Sequence, residues 1–204
     1  MPVQDFYYTI EKSASAEFKD RGSKFIGYAF PVKNAGEFKL KLNEIKKEHP
    51  KATHHCFAYR LGMDGNNFRV SDDSEPSGTA GRPILGQIDS KGLTDVLVIV
   101  VRYFGGTLLG VPGLINAYKS VTALLFQLVP IVQKNREIEY LVQFDYLQMN
   151  DVMSIIKKYN CTVHEQQLQL FCQVRISIPL NKQDEILNRL KEIINVEAKK
   201  EASG

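Results

Sequence analysis

The stretch SDDSEPSGTAGRP, Ser71 to Pro83, gathers two Asp, one Glu, two Gly, a Thr, an Arg and two Pro into one run. No core-facing periodicity accounts for it. Asp72, Asp73 and Glu75 bring three carboxylates within four residues, which repel one another unless solvated or countered by cations. As ligands they suit Mg²⁺, a hard cation that takes oxygen donors. The plainer reading is an exposed acidic turn, with Asp73 paired to Arg82 or accepting backbone N–H bonds. Both readings are open at this point.

The second half of that run, SGTAGRP, has the chemistry of a turn into a helix. Ser77 and Thr79 are both capable N-caps, and Gly78 and Gly81 permit positive φ and close backbone approach. Such a turn exposes N–H groups that can hold a phosphate or carboxylate. A plain cap needs only the Ser or the Thr; the two glycines and Arg82 go beyond it. A second glycine-rich stretch, RYFGGTLLGVPG, begins with Arg102 and Tyr103 and continues through Gly105, Gly106, Gly110 and Gly113. Arg102 ends an apolar run, at the strand end where open α/β sheets commonly place ligands. The stretch lacks the Gly-Lys-Ser/Thr ending of a Walker loop and the GxGxxG spacing. Tight strand-to-helix turns also use glycine routinely. His54 and His55 are neighbours, so on a strand they face opposite sides and only one can look into a given site. Cys56 has no evident activating partner, and no HExxH or serine nucleophile elbow occurs.

The elements that must position these residues follow from pattern. VQDFYYTI and KFIGYAFPV read as strands, and SASAEFKDRG between them as a short strand ending at Gly22. NAGEFKLKLNEIKKEHP reads as an amphipathic helix with Phe38, Leu42 and Ile45 at helical spacing and Pro50 after its end. HHCFAYRLG and NFRVSDD read as a strand pair around a turn carrying Asp64-Gly65. A helix is expected from Thr79, with Pro83 near its first turn. DVLVIVVRYFGG is the most apolar run and predicts a central strand. VPGLINAYKSVTALLFQLV predicts a long buried helix, with Leu114, Ile115, Tyr118, Val121, Leu125, Phe126 and Val129 on its inner face. VQKNREIE is polar and marks a domain boundary near Asn135. The remainder reads strand, helix, strand, strand, helix and short edge strand, with Ile186, Leu187, Leu190 and Ile194 inward on the second helix. That order is the ferredoxin-like pattern.

The 204 residues suit two small domains. No apolar run of about 18 residues occurs, so no membrane span is expected, and MPVQDFYYTI lacks the features of a signal peptide. Cys56, Cys161 and Cys172 are widely spaced, which fits a reducing, cytoplasmic location. The net charge of +3 is uneven. Up to Asn135 the chain carries 17 Lys and Arg against 13 Asp and Glu; from Arg136 onward it carries 9 against 10. A mildly basic first part permits nucleic-acid contact without requiring it.

DDSEPSGTAGRPIL, followed downstream by VVRYFGGTLLGVPGLINAYKSV, resembles the YigZ/IMPACT family, and HHCFAYR fits the same pattern. The resemblance covers the chain to about Val132; the remainder is similar to the small C-terminal domain of bacterial members. It implies an α+β protein of two domains. Residues 1–135 would form an α/β domain of the ribosomal-protein and RNase PH-like kind. Residues 136–204 would form a ferredoxin-like domain similar to one in elongation factor G. Eukaryotic relatives regulate translation during amino-acid starvation, and binding of nucleic acid or the translation apparatus is the usual inference for bacterial ones. Two departures stand out: Ser74 where the family usually has Gly, and Leu108 where many members have Lys. Arg102 and Lys119 match the usual pattern.

The leading expectation is therefore a non-catalytic, cytoplasmic, translation-associated protein that contacts RNA or the ribosome. Backbone N–H groups of the glycine turns would hold phosphates, with Arg82, Arg102 and Lys119 adding charge. The alternative is an enzyme acting on a nucleotide or other phosphorylated small molecule, with Asp72, Asp73 and Glu75 positioning Mg²⁺. A third reading makes the motifs serve only the fold of a protein-docking module. Nothing in the sequence implies DNA specificity or a cofactor other than Mg²⁺.

Overall fold

A computed structural model describes residues 5–63 and 65–201. The chain divides into two compact units. One is Tyr7–Lys134; the other takes in the residues from Asn135 onward and the segment before Tyr7. Helices and antiparallel strands alternate irregularly, which makes the protein α+β.

In the first unit a five-stranded sheet is built from β2 (Ala14–Asp20), β3 (Ser23–Pro31), β4 (His54–Leu61), β5 (Asn67–Ser71) and β6 (Val96–Tyr103), in the order β2-β3-β6-β4-β5. Every pairing is antiparallel. β2 and β3 are joined by Arg21 and Gly22, both at positive φ (44° and 81°), the backbone of a type I′ hairpin turn. The Asp64 half of the expected β4–β5 turn lies outside the described residues, although the two strands do pair.

β6 is central and its apolar run has a simple cause: both faces of the strand are covered. Val96, Val98 and Val100 pack against α2 (Gly81–Ser90) and α3 (Gly110–Leu128). Leu97, Ile99 and Val101 face the other way, in one cluster with Phe38 and Ile45 of α1 (Ala35–Glu48). Asn34 caps α1, its Oδ1 accepting from the Gly36 and Glu37 N–H groups. α3 is the long buried helix the spacing predicts, with Leu114, Tyr118, Val121, Leu125 and Phe126 buried and Ile115 only half-buried.

Two features differ from the pattern. The polar stretch after Val129 carries a strand the pattern does not show: β7 (Ile131–Asn135) pairs with β1 (Phe6–Ile10) in a two-stranded sheet. Its alternating exposure shows a surface ribbon, whose polar residues hide the period. The second helix expected from Thr79 begins instead at Gly81.

The second unit runs β8 (Glu137–Asp145), α4 (Met149–Lys158), β9 (Thr162–Gln167), β10 (Phe171–Pro179), α5 (Gln183–Lys191) and β11 (Val196–Lys200). Its sheet has the order β11-β8-β10-β9 and is antiparallel throughout. One face is buried under the two helices, with Val142, Val174, Ile176 and Ile178 meeting Val152, Ile156, Ile186 and Leu190. Ile194 does not join them: it lies past the end of α5 and is exposed.

Candidate functional site

The loop between β5 and α2 folds over one end of the five-stranded sheet, and its acids go to three different destinations. The Asp72 carboxylate turns into the backbone of its own loop. Its Oδ1 accepts from the Ala80 and Gly81 N–H groups at 3.0 and 2.8 Å, and its Oδ2 accepts from the Gly78 N–H at 2.8 Å. Three converging amides and a helix N-terminus make an anion site, and the anion held there is the protein's own. Gly81 must lack a side chain for this closure, because a Cβ would meet the Ser71 backbone nitrogen at 2.8 Å. Ala80, not Ser77 or Thr79, is the N-cap residue, and it makes no side-chain capping bond. Asp72 does that work from eight and nine positions upstream. Thr79 is buried and donates to the Pro76 carbonyl; Ser77 is exposed.

Asp73 accepts from the His55 N–H at 2.6 Å, while its carbonyl accepts from His54 Nδ1 at 2.7 Å. A carbonyl only accepts, so Nδ1 of His54 carries a proton. These bonds hold the backbone at Asp73 and Ser74 in the left-handed region, at φ 43° and 72°. Ser74 is the position where the resembling family usually has Gly, and its conformation is the one Gly favours. Arg82 is exposed and is not the partner of Asp73.

Glu75 is buried and accepts from Arg102 Nη1 through both oxygens, at 2.7 and 2.9 Å. Its Oε1 also accepts from the Tyr118 hydroxyl at 2.8 Å. That hydroxyl lies 3.2 Å from Cys56 Sγ, whose thiol also faces the Asp72 carbonyl at 3.0 Å. Arg102 Nη2 reaches Ser23 Oγ at 3.4 Å, and the same oxygen accepts from the Gly105 N–H at 3.2 Å. The guanidinium lies over the Phe25 ring and against Phe104, at 5.4 and 5.7 Å from their centroids. Its Nε is buried and has no hydrogen-bond partner among the described residues. Burial pushes the Cys56 and Tyr118 groups well above their ordinary values, so both stay protonated as donors.

Several expectations therefore change. Asp72, Asp73 and Glu75 diverge, to three amides, to the β4 backbone and to Arg102, so they do not form a shared Mg²⁺ site. No group of three His, Cys, Asp or Glu side chains among the described residues is placed to hold a metal. The first glycine turn is filled by Asp72 rather than open to phosphate. Arg102 is held by Glu75 at the core, not presented to a polyanion. The premise that β6 ends at a ligand crevice also fails, because that rule belongs to parallel sheets and this sheet is antiparallel.

The remaining candidates separate. His55 faces the opposite side of the sheet from His54. Its Nε2 donates to the His49 carbonyl at 3.2 Å, and burial lowers its pKa against the opposing pull of Asp73. The Tyr103 hydroxyl lies 2.9 Å from His49 Nδ1, whose Nε2 lies 2.7 Å from the Tyr28 hydroxyl. Burial, with Glu48 alongside, pushes Tyr28 up to about 12. Gly105 packs directly on the Gly22–Ser23 backbone, which leaves no room for a side chain and locks the second glycine turn to the β2–β3 hairpin. Gly106 sits at φ 85° on the surface, and Lys119 and Arg82 are exposed on α3 and α2. Ser23, Cys56 and Tyr118 are the network members that pattern reading did not single out as polar. Tyr118 alone left a signal: a buried tyrosine on an aliphatic stripe needs a partner for its hydroxyl.

The architecture is antiparallel α+β, with the two motifs joined through the buried Glu75–Arg102 pair. A family model described as the Impact N-terminal domain matches residues 21–126. The chain is 31% identical over 172 residues to IMPACT family member YigZ of Escherichia coli (strain K12), covering 83% of this chain and 84% of that one. It is 33% identical over 165 residues to an IMPACT family member of Haemophilus influenzae, covering 79% and 80%. Protein IMPACT of Xenopus laevis is 35% identical over 94 residues, 45% of this chain and 30% of its own. A crystal structure of a hypothetical protein superposes with a TM-score of 0.78 at 26% identity, over 99% of this chain and 100% of that one. The chain belongs to the IMPACT family.

Proposed function

We propose that this protein is a non-catalytic binding protein associated with translation or its regulation, acting through RNA or ribosome contact. The observation that carries the reading is the inward turn of the acidic loop. Asp72 is closed on backbone amides and Glu75 on Arg102. The excess of Lys and Arg over Asp and Glu up to Asn135 is therefore displayed outward, on groups such as Arg82 and Lys119. Outward cations on a rigid frame attract phosphates with little regard to sequence. The relationship to Protein IMPACT supports a regulatory role.

The fold analogy fits this reading. We assign the first unit to the ribosomal-protein and RNase PH-like group and the second, with its β-α-β-β-α-β order, to the ferredoxin-like group. The boundary is placed at Asn135, and the compartment is cytoplasmic.

Filter binding with a mixed-sequence RNA and with purified ribosomes, at two salt concentrations, tests the proposal. Binding that weakens steeply with salt, and weakens again in Arg82→Glu/Lys119→Glu, is the expected result. No binding at low salt would remove it.

A further inference from the structure

The sheet of the second unit ends on an open edge. β9 stands last in the order β11-β8-β10-β9 and pairs only with β10 among the described residues. All six of its residues are exposed. Its outer N–H and C=O groups can therefore pair with another strand. Proteins commonly blunt such an edge with Lys or Pro, and TVHEQQ has neither. The ladder shifts register between Arg175 and Ile176, opposite His164, whose Nε2 lies 2.6 Å from Ser177 Oγ. That bulge bends the strand, but Thr162 and Val163 stay in the ladder before it and Glu165, Gln166 and Gln167 after it.

A groove of about 540 Å³ lies between the start of β9 and the C-terminal half of α4. Ile156 and Cys161 are its buried apolar residues; Met153 is half-buried and Val163 exposed. Val163 is paired with Ile176 and Gln166 with Val174, and both partners are buried under the helices. Paired residues share a face of the sheet, so Val163 and Gln166 look to the groove side. Lys157 is the one charged lining residue. It is exposed and makes no ion pair among the described residues. Glu165 does not neutralise it, because Glu165 is on the other face, opposite Arg175 and paired with it at 3.3 Å.

These features select the occupant. An open edge takes a strand, a flanking groove takes alternate side chains of that strand, and the unpaired cation takes a carboxylate. Nucleic acid supplies no strand. A second copy offering β9 would bring Val163 as its only apolar side chain, too little to fill the groove. We propose that β9 and the groove beside α4 dock an extended segment of another protein, added as a fifth strand. Its alternate apolar side chains enter between Met153 and Val163, and an acidic side chain meets Lys157. The site lies in the second unit and does not depend on the RNA contact proposed for the first.

Three synthetic peptides of equal length, each alternating Val and Thr, provide the probes for fluorescence anisotropy on the full chain. One has a central Glu, one a central Lys, and the third is the Glu peptide with alternate backbone amides N-methylated on its pairing edge. The Glu peptide should bind at least about fivefold more tightly than the Lys peptide, and Lys157→Glu should reverse that preference. N-methylation should cost about tenfold or more, because it removes the main-chain bonds that give such docking its affinity. Val163→Ser should lower affinity for the Glu peptide by about fivefold, with an unchanged circular dichroism spectrum. Absence of binding, equal binding of the Glu and Lys peptides, or full binding of the N-methylated peptide would overturn the proposal. So would a dimer of the chain abolished by Val163→Ser, since it would give the edge to a second copy.

Discussion

Glu75 and Arg102, 27 positions apart in the chain, are joined by one guanidinium nitrogen donating to both carboxylate oxygens at 2.7 and 2.9 Å. Both side chains are almost fully buried. The pair binds the first motif to the end of the central strand, and Tyr118 adds α3 to the same point. Breaking a buried pair from one side leaves an uncompensated charge, which costs about 3–5 kcal/mol. Glu75→Gln is expected to destabilise the first unit by that order. Glu75→Gln/Arg102→Met should recover a large part of the loss, because it removes the stranded cation. Urea denaturation of the three proteins checks this, and a double variant no more stable than Glu75→Gln would contradict it.

Asp72 contributes acceptors to three amides at once, so its removal should be felt locally. Asp72→Ala is expected to lower stability by about 1–3 kcal/mol and to speed hydrogen exchange at Gly78, Ala80 and Gly81. Asp72→Asn keeps one acceptor oxygen and should lose less. Exchange rates measured by NMR distinguish the two.

Ser74 sits at φ 72°, where a side chain is strained and Gly is not. Ser74→Gly should raise stability by about 0.5–1 kcal/mol, the relief of strain exceeding the added freedom of the unfolded chain. A midpoint shift to lower denaturant in Ser74→Gly would show that other contacts hold this turn.

Burial lowers the His55 pKa in the folded protein. The unfolded chain therefore binds a proton more readily, and stability falls as pH drops below the ordinary histidine value of about 6.5. The contribution is fully present above that value and is lost as pH falls through the depressed folded pKa. His55→Gln keeps a donor for the His49 carbonyl and should flatten this part of the stability profile. An unchanged slope in the variant would assign the acid sensitivity elsewhere.

The fold was legible wherever one residue type repeats with the period of its element. β6 announced itself because both its faces are apolar, and α3 because its inner face is continuous. β7 did not, because a two-stranded surface ribbon exposes every second residue and reads only as a polar stretch at a domain boundary. The candidate site was legible as composition but not as wiring. Nothing local in SDDSEPSGTAGRP says that Asp72 closes on Gly78, Ala80 and Gly81 while Glu75 leaves for Arg102. Those choices depend on where β6 and α3 arrive, which is a tertiary outcome. Tyr118 and Ser23 complete the network from positions whose neighbours look like ordinary core and turn.

The acidic loop is internally satisfied, and the proposed RNA contact falls on exposed cations such as Arg82 and Lys119 instead. Amide and side-chain chemical shifts of the full chain, recorded during separate additions of Mg²⁺, inorganic phosphate and RNA, test this most directly. The account predicts that Gly78, Ala80 and Gly81 stay unmoved with Mg²⁺ and with phosphate, while RNA shifts the side-chain resonances of Arg82 and Lys119. Saturable shifts of the Gly78, Ala80 and Gly81 amides with phosphate or Mg²⁺ would contradict it, because they would show Asp72 giving up its place to a ligand.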